Sequence, residues 1–226
     1  MRFIRKNQIE PQLLTNLKQR LIAEGKKFSF KELINPDKND FREILISEQK
    51  YLCCYCEQEI ENHSLRVVLE HFLPQSKFKV QELDYFNLHL SCTHSNKHCD
   101  TVKSDELIVN LLLHPDCASF FKYMPTGEIL PNTHEYRSFS DFKANIASLQ
   151  IRFQAVVHLI TVLDLNNLQL VSERKKTFDD LIRVKDTQFD TLDKIEDYLE
   201  KENAKANSSR FPSLVEYLLN KQKTKV

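Results

Sequence analysis

The sequence predicts an α+β protein that is mostly α-helical, with a small cysteine-stapled core flanked by N- and C-terminal helical regions. Three observations carry this. Only two glycines, Gly25 and Gly127, occur in 226 residues, and there is no tryptophan, which argues for helices over a turn-rich all-β design. Apolar residues recur at spacings of three or four. Five of the six cysteines fall between residues 53 and 99, around two short stretches that read as strands.

Taken in order, Leu13, Leu14, Leu17 and Leu21 mark a first helix, and Phe41, Ile44 and Leu45 a second that opens on the helix-favouring stretch Asp37 to Asp40. Val67 and Val68 suggest a strand over 65–69, broken by Pro74. Leu88 to Leu90 alternates again, and a helix is expected from about Asp100 to Leu112. Past Pro115 the text reads as loop through Met124-Pro125-Thr126-Gly127. It then turns helical, with Phe178, Leu181 and Ile182 followed by Phe189, Leu192, Ile195 and Leu199. The polar stretch 203–210 reads as a surface loop before a last helix from about Pro212, carrying Leu214, Val215, Leu218 and Leu219 on one face. This divides the chain into an N-terminal helical region (1–50), a core (51–115) and a C-terminal helical region (116–226), long enough in all to bury a core without staples.

Formal net charge is zero, so a grip on a polyanion must come from a local patch. Residues 1–31 offer one, with eight Lys or Arg against Glu10 and Glu24, either as a contact for nucleic acid or an acidic partner or as a solvated helix face. The opening Met-Arg-Phe-Ile-Arg-Lys lacks a signal-peptide apolar run, and no stretch approaches the roughly 18 apolar residues of a membrane span. The expectation is a cytoplasmic protein with no membrane partner, in whose reducing surroundings clustered cysteines are metal ligands and not disulfides.

Cys53 and Cys56 form a C-x-x-C pair, and Cys92 and Cys99 a second pair some 35 residues on. Together they supply four thiolates for a closed, structural, tetrahedral Zn²⁺ site, which would fix the ends of a segment too short to hold itself by burial. Six residues separate Cys92 from Cys99, and His94 and His98 lie inside that gap as alternative ligands. Cys54 and Cys117 read as small buried apolar residues. His63 and His89 are assigned to solvent or packing.

Between the cysteine pairs the chain reads Glu70-His71-Phe72-Leu73-Pro74, then Asn87-Leu88-His89-Leu90-Ser91-Cys92, then Cys99-Asp100-Thr101-Val102-Lys103. This order, C-x-x-C, E-H-x-x-P, N-L-x-L-S-C and C-D-x-x-K, resembles the HNH endonuclease superfamily. The resemblance implies a ββα-metal core over 51–115 that grips one divalent cation, Mg²⁺ or Mn²⁺, and hydrolyses phosphodiester bonds. It makes His71 the general base, for which a neutral imidazole is chemically suited. It makes Glu70 and Asp100 the oxygen ligands that a hard cation prefers, Asp100 standing where many relatives have His or Asn. Asn87 becomes an orienter of the loop that aims His71, or a plain strand-opening Asn. Lys103 becomes a point charge against phosphate, or a solvated helix lysine.

A closer likeness extends through 48–57 (EQKYLCCYCE), 70–76 (EHFLPQS), 113–123 (LHPDCASFFKY), 127–129 (GEI) and 163–167 (LDLNN) with Arg174. These segments resemble the PtuB-type HNH subunit of bacterial Septu and retron anti-phage defence systems. That implies an effector nuclease beside a PtuA-type ATPase and, in some systems, a retron reverse transcriptase with its RNA-DNA hybrid. DNA is the first expected substrate. The same centre acting on RNA or tRNA, and a zinc-bound partner-binding module without catalysis, are the alternatives.

Overall fold

The computed structural model describes residues 1–62, 66–93 and 98–224. Eight α-helices and two small antiparallel sheets make up the described part, so the chain is α+β and mostly helical. Among the described residues no helix is long and apolar enough to cross a membrane.

Helix α1 (Gln12–Ala23) buries Leu14, Leu17 and Leu21. It stops before Gly25, whose φ of +64° is the left-handed conformation common after a helix end. Helix α2 (Asp37–Glu48) carries Asp37 and Asp40 in its first turn, where acids suit the helix dipole, and buries Phe41, Leu45 and Ile46. One continuous core then gathers Met1, Leu14, Phe41, Leu90, Leu112, Phe142, Leu159, Phe211 and their neighbours, drawn from all along the chain.

The first sheet pairs β1 (Val67–His71) with β2 (Leu88–Cys92), in register from Val67 opposite Cys92 to His71 opposite Leu88. Alternation puts Val68 and Glu70 on one face together with Ser91 and His89. Gln49, just past α2, clamps the middle of β2 by accepting from the Leu90 amide at 2.7 Å and donating to its carbonyl at 2.8 Å.

The expected helix from Asp100 to Leu112 is much shorter. Helix α3 is Asp100–Lys103 only, because Ser104 turns to φ +47°, ψ −128° and breaks the ladder. Ile108, Leu111 and Leu112 are still buried, from irregular backbone. The stretch past Pro115 is likewise not all loop. It forms a hairpin of β3 (Phe121–Tyr123) and β4 (Ile129–Pro131), reversed at Gly127 with φ +91°. Its strands are three residues each, too short for alternation to show.

Helices α4 (Phe139–Ala144) and α5 (Ile151–Val162) follow. Helix α6 (Leu168–Gln188) is capped by Asn167, whose side chain accepts from the Gln169 amide. Helices α7 (Leu192–Ala204) and α8 (Pro212–Lys223) flank the expected loop, and Pro212 opens α8 where its missing N–H costs nothing. Phe189, Ile195, Val215 and Leu219 form a second, smaller core between α6, α7 and α8.

Candidate functional site

Residues 52–59 form a tight knuckle: the Cys53 amide donates to Gln58 O at 2.8 Å, and Cys54 ties the knuckle to the sheet by donating to Leu90 O at 3.1 Å. The knuckle delivers Cys53 and Cys56, the end of β2 delivers Cys92, and Cys99 immediately precedes α3. All four Sγ atoms lie within 4.8 Å of one another, and all four residues are buried. The Cys53–Cys99 and Cys56–Cys92 separations are 3.9 and 3.6 Å. Four sulfurs about 2.3 Å from a tetrahedral zinc stand roughly 3.8 Å apart, so this cluster fits a metal ion such as zinc. No cysteine is in a disulfide.

Two further features fit a ligated state. Burial pushes the Cys56 and Cys99 thiols well above their ordinary pKa, whereas hydrogen bonds from neighbouring thiols bring Cys53 and Cys92 below theirs, so a nearby cation is what would ionise all four together. Cys99 sits at φ +62°, ψ −137°, a region nearly confined to glycine, and strain of about 1–3 kcal/mol persists in proteins where a ligand clamp dictates position. His98 stands beside the cluster with Nδ1 3.1 Å from Cys99 Sγ and 3.9 Å from Cys92 Sγ. His94 and His63 lie outside the described residues. Cys54 and Cys117 are buried and not among the four clustered sulfurs, as expected of small apolar residues.

The second constellation sits at the C-terminal end of β1. Glu70 is buried, and its Oε1 accepts from Tyr55 Oη at 2.7 Å and from Lys103 Nζ at 2.8 Å. Its pKa is pushed up to about 8, first by burial and then by hydrogen bonding to and repulsion from the Asp100 carboxylate, against the opposing pull of Lys103. The structure therefore brings Glu70, Asp100 and Lys103 together. With its pKa at about 8 Glu70 holds a proton at neutral pH, and a cation placed against the two carboxylates is what would ionise it.

Lys103 corrects both readings made of it. It is 1% exposed, so it is no solvated helix lysine, and its ammonium is already engaged by Glu70 and by His71 O at 3.2 Å, so it does not stand free for a phosphate.

His71 follows Glu70 on the other face of the strand. Its Nε2 lies 3.0 Å from Glu82 O and the ring packs edge-on to Phe30 at 4.7 Å. A carbonyl can only accept, so Nε2 carries the proton and Nδ1 the lone pair. Gln75 Nε2 is placed 3.0 Å from the same nitrogen. Two donors cannot bond each other, and turning that amide over presents its oxygen instead. Among the described residues nothing bonds Nδ1. Burial lowers the His71 pKa, outweighing the raising influence of Glu82 and, more weakly, of Asp100, and the ring is neutral at neutral pH.

Asn87 fastens the loop between the strands. Its Oδ1 accepts from the Leu73 amide at 2.6 Å, while Nδ2 donates to Leu73 O and Gln81 O at 3.1 Å each. Glu82, whose carbonyl holds His71, is the next residue along. His89 is packed, as expected, but completely: it is directly opposite Glu70, fully buried, and neither ring nitrogen has a partner among the described residues.

Sequence reasoning missed Tyr55, Glu82 and Gln75. Tyr55 was visible only as the residue between Cys54 and Cys56. Glu82 acts through its backbone, which no side-chain pattern reports.

Fold and site together define an α+β, mostly helical protein with a four-cysteine cluster suited to zinc, beside a buried array of carboxylate, imidazole and ammonium groups. Neither a family model nor a curated protein sequence matches the chain.

Proposed function

We propose that this chain is a metal-dependent HNH endonuclease that hydrolyses phosphodiester bonds, with DNA as first substrate. The observation that carries the reading is the end of β1: His71 is neutral, Glu82 O fixes its proton on Nε2, and the next residue back along the strand, Glu70, forms a close carboxylate pair with Asp100. In this role Nδ1 takes a proton from the attacking water, and Glu82 O stabilises the imidazolium that forms. Asn87 holds the loop that presents Glu82. Glu70 and Asp100 are the residues to hold Mg²⁺ or Mn²⁺, which when bound supplies Lewis-acid neutralisation of the phosphate charge. Lys103 and Tyr55 orient Glu70. The four cysteines hold structural zinc. With the likeness to the Septu and retron subunits, the reading extends to an anti-phage effector acting beside a PtuA-type ATPase, and in some systems a retron reverse transcriptase with its RNA-DNA hybrid. The nuclease reading does not depend on that extension.

One observation favours a second reading, a zinc-bound partner-binding module without catalysis: Glu70 already has Lys103 and Tyr55 as partners, which a purely structural network also needs. The deciding experiment offers plasmid DNA and a matched RNA to wild type and His71→Ala with Mg²⁺ or Mn²⁺, alone and with a co-expressed genomic neighbour. Metal-dependent cleavage lost in His71→Ala supports the nuclease. Equal cleavage by both removes His71 as base, and no cleavage in any arm favours the module.

A further inference from the structure

Arg174 is a buried cation in need of a partner. It lies on α6, is 4% exposed, and makes no ion pair within 4 Å among the described residues. Its Nε donates to Leu170 O at 3.3 Å and its Nη2 to Leu165 O. Carbonyl oxygens satisfy donors but do not cancel a charge, and an uncompensated buried charge is strongly destabilising.

The buried acid Glu57 is already occupied. Glu57 faces the Met1 ammonium at 3.4 Å and accepts from the Ser213 amide at 3.1 Å and from the Ser213 hydroxyl. Helix α6 meets the cysteine knuckle directly, Glu173 next to Arg174 accepting from Gln58 Nε2 at 2.6 Å. The α5–α6 turn whose Leu165 carbonyl Arg174 binds also receives the Cys99 amide, at Leu163 O and 2.9 Å. Burial lowers the Arg174 pKa, while Tyr123, then Cys56, Glu57 and Cys99 act to raise it. Four thiolates around one Zn²⁺ leave a net charge of −2. Such a dianion in a buried site needs positive charge nearby as much as Arg174 needs negative.

We infer that Arg174 is the counter-charge of the four-cysteine centre, a positioning residue on a distant helix that sets how tightly the knuckle holds its metal. The inference rests on the zinc reading. Its consequence is that α6 is tied to the knuckle by charge as well as by packing, so metal loss loosens the grip of the C-terminal helices on the core.

The test separates charge from hydrogen bonding. Arg174→Gln keeps donors for the carbonyls and removes the charge; Arg174→Lys keeps the charge. Zinc content is measured on the purified full-length proteins, and zinc affinity by competition with a chromogenic chelator. Arg174→Gln should bind zinc about tenfold or more weakly while Arg174→Lys stays within about threefold of wild type, the range known for outer-sphere partners of metal sites. Equal loss in both variants, loss only in the lysine variant, or no loss in either overturns the inference. Should Arg174→Gln fail to fold, Arg174→Lys decides alone: near-wild-type affinity supports the counter-charge, and a loss beyond about tenfold overturns it. A wild type that takes up no zinc overturns the zinc reading beneath it, before any substitution is compared.

Discussion

Replacing Gly127 by alanine tests how the hairpin is seated on α6. At φ +91° a Cβ brings backbone strain of roughly 1–2 kcal/mol. It would also stand 2.0 Å from Val171 O and 2.9 Å from Lys175 N, where an ordinary C···O contact is about 3.3 Å. Both atoms are helix backbone, so hairpin or helix must move by more than about 1 Å. Such a movement breaks the paired bonds of Asn166 to Ile129, at 2.8 and 2.9 Å, each contributing about 1 kcal/mol. It also loosens buried Phe121, Tyr123 and Ile129. The total is about 3–5 kcal/mol. Gly25→Ala is the control, because Gly25 shares the positive φ but a Cβ there would meet nothing within 4 Å, and it should lose only about 1 kcal/mol. Urea denaturation of both variants supplies the comparison. A Gly127→Ala loss within about 1 kcal/mol of the Gly25→Ala loss would refute the seating argument.

Ser104→Gly should stabilise the protein by about 1 kcal/mol, since an exposed residue at φ +47°, ψ −128° has no side-chain bond to forfeit; an unchanged or lower thermal midpoint contradicts this. Cys92→Ser should lose the metal and much of its thermal stability, whereas Cys54→Ala should keep full zinc content by elemental analysis, because Cys54 is outside the cluster. Lys6 gives a pH signature. It donates to Tyr85 O and Leu88 O at 2.8 and 2.6 Å, and burial lowers its pKa from 10.5 to about 8. Below about 8 both folded and unfolded chains carry the charge and the burial penalty is full. Between about 8 and 10.5 the unfolded chain holds more protons than the folded one, so the Lys6 contribution to stability rises with pH. Relative to Lys6→Met, wild type should therefore gain stability from pH 8 to 10; a flat or falling difference excludes the buried-ammonium account.

The four clustered cysteines were legible because metal-ligand chemistry leaves a spacing in the sequence, and α1, α2 and α8 because each buries one stripe. Helix α5 is harder to read. Phe153, Val156, Val157 and Ile160 fall at helical intervals, but Leu159 is buried as well, so the apolar surface wraps past one face and blurs the stripe. For other features the sequence gives no sign of backbone conformation or burial. The end of α3 depends on the backbone angles of Ser104, which follows an ordinary polar run. Arg174 is one of four consecutive charged residues, Glu173 to Lys176, and only the folded helix shows that it alone of these is buried. Lys103 is similar: a lysine closing a four-residue helix looks solvated until Glu70 is seen beneath it.

The four-cysteine cluster and the Glu70 array are too closely joined to be independent. Tyr55, which donates to Glu70, lies between Cys54 and Cys56 in the knuckle. Asp100, which raises the Glu70 pKa, follows Cys99 directly. Ser91, whose Oγ is 3.8 Å from Cys53 Sγ and accepts from the Asp100 amide at 3.3 Å, precedes Cys92. Each of the three residues is a chain neighbour of a cysteine of the cluster. A shift in the cysteines therefore moves the donors and the charge around Glu70 directly, with no flexible segment to absorb it. Only His71 is held from elsewhere, by the loop that Asn87 fastens. A metal held at the cysteines would thus set the carboxylate pair, while the loop sets the imidazole.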